Sequence, residues 1–149
     1  MGDYHDTATV TDSTFVSNSG DYGAGMYVTQ FNRGISFISV LLQGNSVSEQ
    51  GGGLYILAVD FSISRSQLMN NIASTSGGMY YSGSVLVISA CIFKGNIASD
   101  SVFGGVMVDH TDSVTVNSTE FWNNEAISGG GLGALDCAEL SIWNSTFVG

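Results

Sequence analysis

The densest set of ligand and acid–base groups in the chain is "DHTD" at 109–112, where Asp109, His110 and Asp112 fall within four residues. Carboxylates beside an imidazole are donors for a metal or Ca²⁺ site. Calcium takes roughly six to eight oxygen ligands. The segments that align with this one earlier in the chain, "TQFN" and "SGS", do not repeat the acids. The expectation is therefore a solvated turn, with no metal and no cofactor.

Sugar-cleaving chemistry finds no better footing. Lysis of an acidic sugar needs a cation beside the substrate carboxylate, and hydrolysis needs two carboxylates at a defined separation. Arg33, Arg65 and Lys94 are the only cationic side chains apart from histidine, and they are spread along the chain. Arg65 is expected on a strand and Lys94 inside a turn. The acids, among them Asp60, Asp100, Glu120 and Glu125, are scattered too. No catalytic residue is assigned, and the chain is expected not to be an enzyme.

Charge narrows the partners. With 13 Asp and Glu against 3 Lys and Arg, the net charge is -10. Phosphate backbones need a basic surface, so nucleic acid is excluded as a partner. No apolar run is long enough to span a bilayer, so no membrane insertion is expected. The opening "MGDYHDTATV" lacks the basic and apolar regions of a signal peptide. An export signal, if used, is then expected elsewhere on a longer chain or already removed.

The elements that must position these groups declare themselves as a repeat. An apolar residue followed three places on by asparagine recurs as "FVSN", "LLQGN", "LMNN", "FKGN" and "FWNN". The apolar column is Phe15, Leu42, Leu68, Phe93, Phe121 and Phe147, spaced by 25–28 residues. The asparagine column is Asn18, Asn45, Asn71, Asn96 and Asn124. A small-residue pair and an apolar residue follow each asparagine: "GAGMY", "GGGLY", "SGGMY", "FGGVM" and "GGGLG".

Ahead of each aromatic lies an alternating segment. Ala8, Ile35, Phe61, Leu86, Val114 and Leu140 form one apolar column. Val10, Phe37, Ile63, Ile88, Val116 and Ile142 form another two places on. Period 2 predicts strands, and no segment shows a sustained helical period. Units of this length, made of strands and turns, predict stacked solenoid coils, each burying its apolar face against the next. The expected fold is an all-β, right-handed parallel β-helix of about five coils over 1–149, a single solenoid segment with no evident caps. The asparagines are expected at bends, bonded to backbone and to their own copies. Glycine is expected to permit tight turning where side chains cannot.

The pairing of F-x-x-N with G-G-(A/L/I/V) resembles the repeats of polymorphic outer membrane proteins. More broadly it is similar to the pectate-lyase-like right-handed parallel β-helices. The resemblance runs from about Ala8 to Phe147. It implies a secreted or surface-displayed stalk, passenger or fibre. Leu42 and Leu68 depart from the aromatic, and "GAG" at 23–25 departs from the glycine pair. The calcium-binding nonapeptide pattern and a stacked threonine face are both missing.

Three further expectations follow from the repeat. Cys91 shares a column with Ser13, Val40, Ser66, Thr119 and Ser145, a small buried site, whereas Cys137 lies in a turn about two coils away. That is too far for a disulfide. "NST" occurs at Asn117 and Asn144, both candidate N-glycosylation acceptors on a eukaryotic secretory route. The chain enters and leaves at the same phase of the repeat, so it is expected to self-associate or to stack end to end with neighbouring coils. The functional expectation is an extracellular structural solenoid in a filament or surface appendage. A surface adhesin is the alternative, with a glycan as partner and Tyr4, Tyr22, Tyr80, Trp122 and Trp143 as contact residues. A carbohydrate-active enzyme ranks third.

Overall fold

A computed structural model describes residues 8–100 and 103–149. Tyr4 and the N-terminal segment considered above lie outside the described residues. The chain winds as a parallel β-solenoid of about five coils, and each coil contributes short strands to successive faces. One face carries Ala8–Thr11, Ile35–Ile38, Asp60–Ser64 and Val85–Ser89. The next carries Thr14–Val16, Leu41–Gln43, Gln67–Met69, Ile92–Lys94, Glu120–Trp122 and Thr146–Val148. The third carries Ser19–Tyr22, Ser46–Gln50, Ile72–Ala73 and Ile97–Ala98. The fourth carries Met26–Phe31, Leu54–Ala58 and Met79–Ser82. In the last two coils the fourth and first faces fuse into single strands, Val106–Asn117 and Leu132–Trp143.

The register follows the sequence columns. Phe15 pairs with Leu42, Leu42 with Leu68, Leu68 with Phe93, Phe93 with Phe121 and Phe121 with Phe147, all parallel. The alternating segments pair in the same way, for example Ile35 with Phe61 and Phe61 with Leu86. A one-residue slip would turn every inward side chain outward, so the buried columns fix the register. Both apolar columns enter one continuous core with Leu54, Ile56, Met79, Tyr81, Val106 and Val108 from the fourth face.

Corners between faces use single left-handed residues. Asp12, Ser39, Arg65, Ala90, Ser118 and Asn144 have φ between 47° and 56° and stand at one corner of successive coils. Ser17, Gly44, Asn70, Gly95 and Asn123 do the same immediately before the asparagine column. The second set is rich in glycine and asparagine, which visit this conformation most readily. The first set is not, and at four of its six corners the hydroxyl of the residue that follows explains why it holds. Ser13, Ser66, Thr119 and Ser145 each donate a side-chain hydroxyl to the carbonyl two residues back, at 2.7–3.0 Å. The bond closes the chain around the strained residue. Arg65 is therefore at a corner, one residue past the strand, and Lys94 ends a strand rather than sitting in a turn.

The glycine pair works differently from the expectation. Gly53, Gly78 and Gly105 do not need positive φ. A Cβ on any of them would strike the carbonyl oxygen of the equivalent glycine in the following coil. The demand there is close backbone approach, whereas tight turning falls to Gly23 and Gly51, whose φ values are 48° and 66°.

Candidate functional site

Among the described residues, the interior offers no buried polar side chain left without a partner. Asn45, Asn71 and Asn96 are fully buried. Each donates Nδ2 to the Oδ1 of the asparagine one coil on, at 2.9–3.0 Å. Each also donates Nδ2 to the carbonyl of Phe15, Leu42 or Leu68 one coil back, at 2.9–3.1 Å. Each Oδ1 takes the backbone N–H of the preceding asparagine as well. Asn18 and Asn124 extend the same ladder at its two sides. Among the described residues, no buried side-chain polar atom lacks a partner. These amides are structural.

Both cysteines replace hydroxyls at corners. Cys91 Sγ contacts the Ser89 carbonyl at 3.2 Å, where its column carries Ser or Thr at every other coil but that of Val40. Burial pushes its thiol from 9.0 up to about 11, against a smaller opposing effect of backbone hydrogen bonds. Cys137 lies within the long strand rather than in a turn, paired with Thr111. Its Sγ contacts the Leu135 carbonyl at 3.5 Å, as Thr111 Oγ1 contacts that of Asp109 at 3.2 Å. Partial burial raises its pKa too. Both thiols are free.

The outer surface of the fourth face carries an aromatic column. Tyr27, Tyr55 and Tyr80 pair in register, with ring centroids 5.1 and 5.0 Å apart and interplanar angles of 13° and 12°. Tyr22 packs against the side of the stack, edge-on to Tyr55 at 5.4 Å and tilted to Tyr27 at 6.1 Å. An aromatic ring grips a sugar with its face. Here Tyr55 is stacked on both faces, Tyr80 is buried with its hydroxyl on Asp109, and Tyr27 ends the stack half-exposed. The column ends at Met107 and at Gly133, where the Phe103 ring fills the space a side chain would need.

The tyrosine column leads to the corner that holds "DHTD". This segment is not a turn. It lies inside the strand Val106–Asn117, bent at His110, whose φ is 48°. The next coil bends at the equivalent place, at Asp136 with φ 49°. Asp109 and His110 therefore face Asp136 across one coil step. His110 Nδ1 is 2.7 Å from Asp109 Oδ1, and its Nε2 is 3.4 Å from Asp136 Oδ2. Tyr80 donates its hydroxyl to Asp109 Oδ2 at 3.2 Å. Burial foremost, and then the Asp109 charge, hold the Tyr80 phenol well above its ordinary pKa. Asp112 is not part of this group. Alignment with the preceding coils hides Asp136, which belongs to the following one.

Other expected residues stay apart. Arg33 lies between Phe31 and Ile35, Arg65 at a corner of the next coil and Lys94 beyond that, each on a different coil. Asn117 ends a strand and is partly buried, and its Oδ1 accepts from Ser118 Oγ at 2.9 Å. Asn144 is not its equivalent. It sits one residue further on, at the exposed left-handed corner. Trp122 is half-buried, with its Nε1–H on Glu120 Oε2 at 2.9 Å, and Trp143 is exposed.

Stacked parallel coils with an asparagine ladder and an unbroken apolar core define a β-solenoid. Residues 2–149 match the family model of the right-handed β-helix region, and the chain belongs to that family. It is similar to metabotropic glutamate receptor-like protein R of Dictyostelium discoideum, 28% identical over 104 residues. That alignment covers 66% of this chain and 6% of the relative. No solved structure matches the chain.

Proposed function

We propose that the chain is a non-enzymatic, extracellular structural solenoid, a segment or subunit of a filament or surface appendage. One observation carries this reading. The strands of the described coils pair in parallel with their copies in adjacent coils, around one continuous apolar core and one asparagine ladder. Such a body lengthens by adding coils in the same register, which suits a stalk or fibre. The separation of the three cations over different coils supports a non-enzymatic role. The acidic surface keeps such a body dispersed in water, and the relative's receptor-like name fits a surface setting.

The experiment is electron microscopy of the purified chain and of native material. Elongated rods one solenoid wide are expected. Compact monomers at high concentration, with protected end coils, would overturn the proposal. A surface adhesin is the second reading, favoured by exposed Tyr22, Tyr27 and Trp143. Saturable binding of the isolated chain to a glycan array would support it.

A further inference from the structure

The geometry points to a divalent metal site at the outer corner of the last two coils, built from His110 and Asp136 and oriented by Asp109. The ion is of the borderline class that takes nitrogen and oxygen together, with zinc as its type.

Two distances define the site. His110 Nε2 and Asp136 Oδ2 are 3.4 Å apart. Two ligands of a tetrahedral ion with bonds of about 2.0–2.1 Å are separated by about 3.3–3.4 Å. The pair is thus spaced to share one ion without moving. On the other side of the ring, Nδ1 lies 2.7 Å from Asp109 Oδ1. An Nδ1–H donated to a carboxylate leaves Nε2 as the lone-pair nitrogen, aimed at Asp136. Metal-binding histidines are held in this way by a carboxylate behind them. The outer support goes one step further, because the Tyr80 hydroxyl fixes the second oxygen of Asp109 at 3.2 Å.

The placement comes from the fold. His110 and Asp136 are the left-handed residues of equivalent corners in adjacent coils. Parallel stacking brings such residues within one coil step, about 4.8 Å. The three donor groups lie within 4.8 Å of one another. Cys137 is adjacent in sequence, but its sulfur faces the Leu135 carbonyl. The donor set is therefore one imidazole and one carboxylate, with the remaining positions of the ion open to water.

The test is isothermal titration of the folded full chain with zinc chloride at neutral pH, paired with NMR of the histidine rings. His5 is the other histidine of the chain, so the two are separated by mutation. One zinc per chain is expected, with the His110 ring signals shifted. His110→Asn and Asp136→Asn should abolish this binding, and asparagine suits the left-handed backbone at both positions. Asp109→Asn should weaken it about 10–100-fold, the effect of removing an orienting carboxylate. His5→Asn should leave it unchanged. Circular dichroism of each variant checks that the solenoid is intact. No binding to the parent chain would overturn the proposal. So would zinc binding that survives His110→Asn or disappears with His5→Asn.

Discussion

Asn71 hands its side-chain Nδ2 to Asn96 Oδ1, one coil on, at 3.0 Å. The same nitrogen reaches the Leu42 carbonyl, one coil back, at 3.1 Å. One amide thus ties three coils together in a place that water does not reach. Each unmet buried polar group costs about 1–3 kcal/mol. Asn71→Ala would leave the buried Asn45 backbone N–H without its acceptor, take one donor each from the Leu42 carbonyl and Asn96 Oδ1, and open a cavity in the ladder. A loss of about 3 kcal/mol or more is expected, read as a lower midpoint in urea unfolding. Asn71→Asp should be at least as damaging, because a carboxylate has no N–H for Leu42. Equal stability of Asn71→Ala and the parent would show that the ladder is dispensable.

Phe93, Phe121 and Phe147 stack with centroids 5.0 and 4.5 Å apart and interplanar angles of 9° and 3°. The same column carries Leu42 and Leu68, both fully buried. Leucine therefore fits the site. Phe93→Leu is expected to cost about 1 kcal/mol, and Phe93→Ala about 3–5 kcal/mol through the cavity it leaves. Denaturation of the two variants side by side checks the ranking.

Glycine positions should divide by cause. A methyl at Gly78 meets the Gly105 carbonyl oxygen, so Gly78→Ala should lower the melting temperature clearly, by several degrees. Asn70, with φ 54°, should accept glycine with a change of about 0.5 kcal/mol or less, since glycine adopts that conformation freely. A neutral Gly78→Ala would contradict the close backbone approach.

Cys91 predicts an alkaline limb of stability. Burial raises its folded pKa from 9.0 to about 11. Between those values the unfolded chain loses the proton while the folded chain keeps it. Stability then falls as pH rises from 9 to 11, by on the order of 2–3 kcal/mol in total. Cys91→Ser should flatten this limb, because serine does not ionise there and already serves the same corner at Ser66 and Ser145. Maleimide labelling at pH 8 should reach Cys137 in the folded chain and Cys91 only after unfolding.

The two glycosylation sequons should differ. At Asn144 both the acceptor and Thr146 are exposed. At Asn117 the acceptor is partly buried, and Thr119 is fully buried, with its hydroxyl bonded to the Asn117 carbonyl and the Cys91 N–H. Expression through a eukaryotic secretory route should give higher occupancy at Asn144. Peptide mapping by mass spectrometry checks this, and sugar at Asn117 alone would reverse it.

The chain's one-dimensional pattern determined the coil. Apolar columns of period 2, repeated every 25–28 residues, fix which side chains face inward, and in a solenoid that also fixes the register. The asparagine ladder was legible for the same reason, since a residue repeated at one phase must stack on its copies. The corner at Ser17, Gly44, Asn70, Gly95 and Asn123 was legible from its glycine and asparagine content. The corner at Arg65 and Ala90 was not, because the hydroxyl or thiol of the following residue holds it, and propensity carries no trace of that bond. Tertiary structure alone decided what lies on the outside. His110 and Asp136 are 26 positions apart in sequence, and neither belongs to a repeated chemical column. Only the fused strands of the last two coils, bent at the same place, bring them to 3.4 Å.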